Sequence, residues 1–536
     1  MSAINPSDPG NDIRPKKLKN RNQPGPQSEK KGAAADLIVS LALKSHRFGV
    51  TEKGEPFAVP LNGPNVAVLL KECADDLKAR LAADYRRQYK AVPTQAALAN
   101  AITVLQGEAQ AETVEEVHLR VARHGNSLII DLGDKSGRAV VVNPGVGWEV
   151  EDRSPVLFRR TALTAPLPIP ARGGNLEELR RLINISDEAW PILIGWLIAA
   201  YVPDIPHPIL FLSGTQGTGK SWFAETLLDL IDPSTVPRGH LPRDADRWHE
   251  TAQNRWGMIL DNVSMISAEL SDLLCKAVTG DASIRRRLYT NSDVVVRAIR
   301  NVVILTSIDA GALRGDLGER LFRLELAPIP PGKRLDEKQL HGLKASLLPD
   351  VFGGLLDAMV ETLGSLPTVA PPSLPRMADF GKVLAAADDA GITEGALGAF
   401  LHHQREISQD VLDGDSFGVA VKELALDRSL WEGTATELLN ELWPMDQGPR
   451  PRDWPKPNGV KGRLKRLIPQ LETDGIDTVF EKGSGKERKR LIRISTTDEA
   501  EPVPSLDFDA VVDEWNVDQV GDGDLSPASE DDEIPF

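Results

Sequence analysis

Three features predict an α/β core preceded by an α+β domain, followed by a C-terminal winged-helix-like domain, with disordered stretches at both ends. The first is a short apolar run, Ile209-Leu-Phe-Leu212, that enters a turn with three glycines and leaves it in a helical pattern, Trp222, Phe223, Thr226, Leu227 and Leu230. The second is a pair of further apolar runs that end in polar residues, Trp256-Gly-Met-Ile-Leu-Asp261 and Val302-Val-Ile-Leu-Thr306. Such runs read as strands buried on both faces. The third is a helix, helix, basic-hairpin succession between residues 433 and 494.

The turn carries the first chemistry. Gly214-Thr215-Gln216-Gly217-Thr218-Gly219-Lys220-Ser221 fits the pattern G-x-x-x-x-G-K-[ST] between a strand and a helix. Glycines let successive backbone N–H groups turn inward around a polyphosphate, and the helix start behind them adds the positive end of its dipole. Lys220 reaches the β- and γ-phosphates, and the Ser221 hydroxyl holds Mg²⁺. The pattern predicts an ATP site. Asp261, ending its strand forty residues after Ser221, is placed to hold the same ion. Thr306, at the end of the next strand, is a candidate to sense the γ-phosphate.

The 536 residues predict about three or four domains. Two cysteines, Cys73 and Cys275, make neither a zinc cluster nor a disulfide framework, so a reducing cytoplasm is expected. The longest apolar run, 190–202, is too short to span a membrane. The net charge of −16 is concentrated: from Asp498 to Phe536 there are fourteen acidic residues and no Lys or Arg, which leaves −2 for the rest. The acidic total therefore does not argue against nucleic acid.

In order, residues 1–33 read as a disordered basic arm, and 34–172 as an α+β domain, helical first and then strand-rich. Within the latter, Asp131 and Asp134 read as turn residues rather than metal ligands. The Pro-rich stretch 165–170 with Gly173-Gly174 reads as a linker. Residues 173–366 form the nucleotide core, with helices from 332 to 363 as a lid. Residues 377–496 form a helical and winged-helix-like region, and 497–536 an acidic disordered tail. His402-His403 lacks partner ligands and reads as surface.

Between 284 and 299 two strands carry Arg285, Arg286, Arg287 and Arg297 on their arms, a candidate grip on DNA phosphate or else a solvated strand face. Arg320, in Asp316-Leu-Gly-Glu-Arg320, is either a surface ion-pair partner or an arginine that stabilises charge on a nucleotide bound by a neighbouring subunit. Together with Leu241-Pro-Arg-Asp, Leu260-Asp-Asn, Val278-Thr-Gly-Asp, Arg286-Arg-Leu-Tyr-Thr and Val303-Ile-Leu, these residues make 208–330 resemble superfamily 3 helicases of the AAA+ class, most closely the helicase part of phage and mobile-element primase-helicases. Gly147-Trp148 through Phe158-Arg-Arg-Thr is similar to the region before the helicase in those proteins. The resemblance implies a homo-hexameric ring with ATP at subunit interfaces and the 284–299 ribbon projecting into the pore. Asn262 departs from the family's usual acidic residue after the Mg²⁺ aspartate, which leaves the water-activating base unassigned. Thr306 and Ser307 stand where a sensor asparagine is usual.

In the C-terminal region Lys461, Arg463, Lys465 and Arg466 are expected on the solvent side of the second helix, and Lys486, Arg488, Lys489 and Arg490 on the hairpin, as contacts to duplex DNA. The tip, Asp532-Glu-Ile534-Pro535-Phe536, is similar to the acidic C-terminal tip of bacterial single-stranded DNA-binding protein. That implies docking on host replication proteins that recognise such tails. The expected function is an ATP-dependent DNA helicase or replication-initiator ATPase acting on single- and double-stranded DNA. Two alternatives stand beside it: a primase-helicase that also makes primers, and a nucleotide-dependent DNA-binding switch that never unwinds.

Overall fold

The computed structural model describes residues 33–71, 74–240, 245–263, 266–280, 282–286, 294–298, 300–308, 315–330, 332, 334–444, 448–482 and 490–496. The basic arm before residue 33, Arg287, Lys486, Arg488, Lys489 and the tail with Asp532, Ile534, Pro535 and Phe536 lie outside the described residues.

Residues 34–172 hold two sheets that belong to different cores. Helix α1 (Ala34–Ser45) leads into β1 (His46–Thr51), β2 (Pro56–Pro60) and β3 (Val66–Leu69), then α2 (Ala74–Tyr89), α3 (Gln95–Gln110) and β4 (Val114–Glu115). Thr94 starts α3 by accepting the Ala97 N–H at 3.2 Å. The helices bury Ile38, Leu81, Leu98, Ala101 and Leu105 against Phe48 and Ala58 of the sheet. Next, β5 (Val121–His124), β6 (Ser127–Asp131), β7 (Ala139–Asn143) and β8 (Gly147–Glu151) form an antiparallel meander, and β9 (Phe158–Arg159) returns to complete the first sheet in the order β4-β1-β2-β3-β9. One face of the meander (Val121, Leu128, Ile130, Val140, Val142, Trp148) is continuous with the core of the following domain.

Arg120 joins meander to core. Fully buried, it donates to Asp232 Oδ1 at 2.8 Å and to the carbonyls of Asp131 and Ala165, each at 3.0 Å. Asp232 in turn accepts the N–H groups of Trp256 and Gly257 at 2.9 and 3.0 Å. Asp131 is held by two bonds from Arg160, and Asp134 accepts the Gly137 and Arg138 N–H groups of the following turn.

The parallel-sheet core follows α4 (Trp190–Ala199). It comprises β10 (Ile209–Ser213), α5 (Lys220–Ile231), β11 (Arg238–Gly239), α6 (Ala245–Ala252), β12 (Gly257–Leu260), α7 (Ala268–Thr279), β13 (Ala282–Arg286), β14 (Val294–Ala298), β15 (Val302–Thr306), α8 (Gly315–Gly318) and β16 (Leu321–Glu325). Five of its strands form an all-parallel sheet in the order β11-β12-β15-β10-β16. Both faces are covered. Leu210, Leu212, Ile259 and Ile304 pack on one side, and Ile209, Phe211, Met258, Leu260, Val303 and Leu305 on the other. That alternation is why the strands read as continuous apolar runs.

The expected lid is instead one 29-residue helix, α9 (Glu337–Ser365), built into the core through Val351, Phe352, Leu355, Leu356 and Met359. The expected linker is not loose either. It crosses α9 backbone to backbone where only glycine fits: a Cβ on Gly353 would lie 1.8 Å from the Ala171 carbonyl oxygen, and one on Gly174 2.0 Å from that of Asp350. Neither neighbour is the end of a flexible side chain. Gly353→Ala is therefore expected to cost about 3 kcal/mol or more, the upper range for forced overpacking. Thermal melting of the variant checks this, and an unchanged midpoint would mean that the crossing gives way.

The remaining elements are α10 (Ala378–Asp389), α11 (Ala396–Asp413), α12 (Ser416–Arg428), β17 (Leu430–Gly433), α13 (Ala435–Leu442), α14 (Val460–Thr473), β18 (Ile476–Lys482) and β19 (Arg490–Thr496). The last three strands pair antiparallel in the order β17-β19-β18. Thr434 and Glu437 start α13 with a reciprocal capping box. Leu438, Leu439, Leu464, Leu467 and Leu471 close this module over Trp431, Ile492 and Ile494. No helix among the described residues is long and apolar enough to cross a membrane.

Candidate functional site

The glycine turn links β10 to α5, and its backbone has the conformation its glycines allow. Gly214, Gly217 and Gly219 have φ of 139°, 83° and 84°. Gly219 immediately precedes α5, so the helix opens on Lys220 and Ser221. Lys220 Nζ donates to the carbonyls of Gly214 and Thr215, both at 2.8 Å, and therefore lies folded into the turn. Burial lowers its pKa below the ordinary lysine value, while the Asp261 charge acts in the opposite sense. Thr218 is buried and donates to the Thr215 carbonyl at 3.1 Å, bracing the turn; Thr215 and Gln216 are exposed.

The sheet order brings the distant residues in. β12 lies next to β15 and β15 next to β10, so Asp261 and Thr306 emerge at the same sheet end as the turn. Ser221 Oγ donates to Asp261 Oδ1 at 3.1 Å, and Thr306 Oγ1 donates to the same oxygen at 2.6 Å. The Asn262 N–H donates to Thr306 Oγ1 at 2.9 Å. Thr306 is thus buried and committed to orienting the aspartate, and any effect it has on the γ-phosphate passes through Asp261. Asn262 is exposed in the left-handed region, φ 56°. Such a conformation is uncommon for a residue other than glycine and favours Asn or Asp.

Sequence reasoning missed two cations beside these groups. Arg238, in β11, pairs with Glu225 of α5 at 2.5 Å and lies 3.7 Å from Asp261 Oδ2. Lys344, nearly buried on α9, pairs with Asp229 of α5 at 2.6 Å and stands 4.4 Å over the Trp222 ring. Neither lies in a motif; Arg238 meets α5 from the strand that follows it, and Lys344 from a helix more than a hundred residues further on.

Arg320 sits at the other end of the sheet. Parallel register sets Ile209 against Leu321 and Ser213 against Glu325, so Arg320 adjoins the start of β10 and the turn lies beyond its end. Four residue steps, from Ile209 to Ser213, separate those ends, about 13 Å at ~3.3 Å per residue. Arg320 therefore lies at the opposite end of the sheet from its own chain's glycine turn.

The ribbon expected between 284 and 299 is present in its paired arms, Ala282–Arg286 and Val294–Ala298, with Arg285 opposite Val295, Arg286 opposite Val294 and Arg297 opposite Ser283. In the C-terminal module Lys465, Arg466 and Arg490 are exposed, and Lys461 lies over the Phe480 ring at 4.9 Å. Arg463 differs from expectation. It pairs at 2.6 Å with Asp415, the residue that caps α12, because α14 packs beside that helix start.

Residues 176–411 match the family model described as actinomycete integrative conjugative element replication protein, and 417–505 that of the AICE RepA C-terminal domain. Over those two stretches this chain is similar to a conjugative-element replication protein. No curated protein matches it. Among solved structures, the apo C-terminal region of NrS-1 aligns over 87% of this chain and 100% of its own at 13% identity, with a TM-score of 0.36. The JCV helicase aligns over 43% of this chain and 64% of its own, also at 13% identity, with a TM-score of 0.24. Likenesses this loose transfer no residue roles.

Proposed function

We propose that this chain is an ATP-dependent DNA helicase or replication-initiator ATPase of superfamily 3 (AAA+) type that replicates a conjugative element. The observation carrying the reading is the meeting of Ser221 Oγ with Asp261 Oδ1 at 3.1 Å, at the mouth of the turn that holds Lys220. Two hard oxygen donors at the start of a glycine-led helix suit Mg²⁺ beside a polyphosphate. When bound, that ion neutralises charge on the phosphates. Lys220 would exchange the carbonyls of Gly214 and Thr215 for phosphate oxygens, and Thr306 would hold Asp261 in orientation. The insertion of β15 between β10 and β12 further supports an AAA+ core.

Arg320 would act on a neighbour's nucleotide, since it lies at the opposite end of the sheet from its own chain's glycine turn. The β13–β14 ribbon would bring Arg285, Arg286 and Arg297 to the DNA backbone. The module from α12 to β19 has the element order of a winged helix, and Lys465, Arg466 and Arg490 would meet duplex phosphate.

The deciding measurement is ATP turnover with and without single-stranded DNA, together with displacement of a strand from a forked duplex and the mass of the assembly with ATP. DNA-stimulated turnover, displacement and a ring-sized mass are expected. ATP binding with no turnover would favour the DNA-binding switch instead, a reading supported by Asn262, which offers no carboxylate base. Mixing tests the shared site. Arg320→Ala and Lys220→Ala proteins are each expected to be inactive, but equal mixing rebuilds about a quarter of the interfaces, because a head-to-tail ring pairs one protomer's Lys220 with the next one's Arg320. Failure to recover activity from correctly assembled mixtures would exclude the role of Arg320 across the interface.

A further inference from the structure

Leu326, Ile329 and Arg334, which follow β16, lie over the three glycines of the turn. The segment starts from a fixed point: Leu326 N–H donates to the Ser213 carbonyl at 2.9 Å, extending the β10–β16 pairing to the edge of the turn. A Cβ placed on Gly214 would lie 2.8 Å from the Leu326 carbonyl oxygen, one on Gly219 3.3 Å from Ile329 Cδ1, and one on Gly217 3.5 Å from Arg334 Nη2. Beyond Arg334 the chain is fixed again. Asp336 caps α9 through a reciprocal capping box with Gln339, and Lys344 of α9 pairs with Asp229 of α5. The strap is therefore tied at one end to the strand entering the turn and at the other to the helix leaving it.

Arg334 is exposed, and among the described residues no hydrogen bond or ion pair engages its guanidinium. A cation held at the middle glycine of this turn, with no acid paired to it among the described residues, suits a phosphate. The planar fork of arginine matches two oxygens of a phosphate, and contacts of this type are the strong charge-assisted ones.

We propose that Arg334 is a phosphate ligand for the nucleotide bound by its own chain, laid over the glycine turn by the strap between β16 and α9. The inference rests on the nucleotide reading of that turn. It divides labour between two arginines: Arg334 binds within the protomer, and Arg320 acts across the interface.

The test is direct binding of a fluorescent ATP analogue with Mg²⁺ to full-length protein, diluted until it is monomeric. Wild type, Arg334→Ala, Arg334→Lys and Arg320→Ala are compared, with melting curves confirming the fold of each. Loss of one charge-assisted contact is expected to weaken binding about 10- to 100-fold in Arg334→Ala. Arg334→Lys should recover part of the loss, because it restores the charge without the fork, and Arg320→Ala should bind as wild type. Equal affinity of wild type and Arg334→Ala would overturn the assignment of Arg334 and leave the nucleotide site standing. No binding by wild type, either diluted or at a concentration at which it assembles, would instead overturn the nucleotide site and the inference with it.

Discussion

Lys220→Ala is expected to lower ATP turnover by at least about 10²–10³-fold, the usual loss when one preorganised donor to developing charge is removed. Strand displacement should disappear with it. The physical case rests on where the ammonium is. It lies inside the turn, 2.8 Å from two backbone carbonyls, in surroundings that lower its pKa by burial. A cation in that state gains more from phosphate oxygens than from neutral carbonyls, since both partners are then charged. The fold should survive the change. Alanine is the best helix former, Lys220 is the first residue of α5, and the turn conformation belongs to the glycines. Melting temperature is therefore the internal control, with turnover as the readout. A correctly folded Lys220→Ala protein that still hydrolyses ATP and unwinds DNA would exclude this turn as the motor site.

Arg120→Ala should produce the largest loss of stability, about 3–5 kcal/mol, as when one partner of a buried ion pair is removed. Arg120 is fully buried and serves Asp232 and the carbonyls of Asp131 and Ala165 together. Its removal strands those carbonyls and takes away the only cation within bonding distance of Asp232 among the described contacts. Asp232 also holds the N–H groups of Trp256 and Gly257, at the start of the strand that ends in Asp261. The loss should therefore appear as a drop in midpoint on the order of 10 °C by calorimetry, in the transition shared by the meander and the parallel-sheet core. Arg120→Met restores much of the lost volume but none of the hydrogen bonds. If Arg120→Met melts like wild type, the residue contributes packing alone and the account of the pair is wrong.

Much of the core was legible in the chain. Gly214, Gly219, Lys220 and Ser221 fall within eight residues, and local backbone geometry alone places them in one turn. The runs 209–212, 257–260 and 302–306 announced strands covered on both faces, and the structure covers them so. The capping box at Thr434 and Glu437 likewise depends on neighbours three residues apart. Other expectations needed partners that no local pattern names. The residues between 332 and 363 have the composition of helix but do not say what that helix packs on, and α9 proved to be part of the core rather than a lid. The Pro- and Gly-rich stretch before the core looked like a linker, yet Gly174 and Gly353 let it cross α9 in contact. Arg463 looked like one more exposed base of α14 and is paired with Asp415.

What the sequence by itself determined is therefore the set of chemical groups and their local framing: a glycine turn at a helix start, strand ends bearing Asp261 and Thr306, and basic stretches along a ribbon and a C-terminal module. What only the tertiary structure decided is which of those groups meet. The strand order β11-β12-β15-β10-β16 brings Asp261 to Ser221 and sends Arg320 to the opposite end of the sheet, and the crossing strap brings Arg334 to Gly217. The reason is one of range. Spacing along a helix or strand is set by dihedral geometry within a few residues, whereas the order of parallel strands depends on connections of many residues and on the burial of two apolar faces at once, and no short stretch of sequence encodes either.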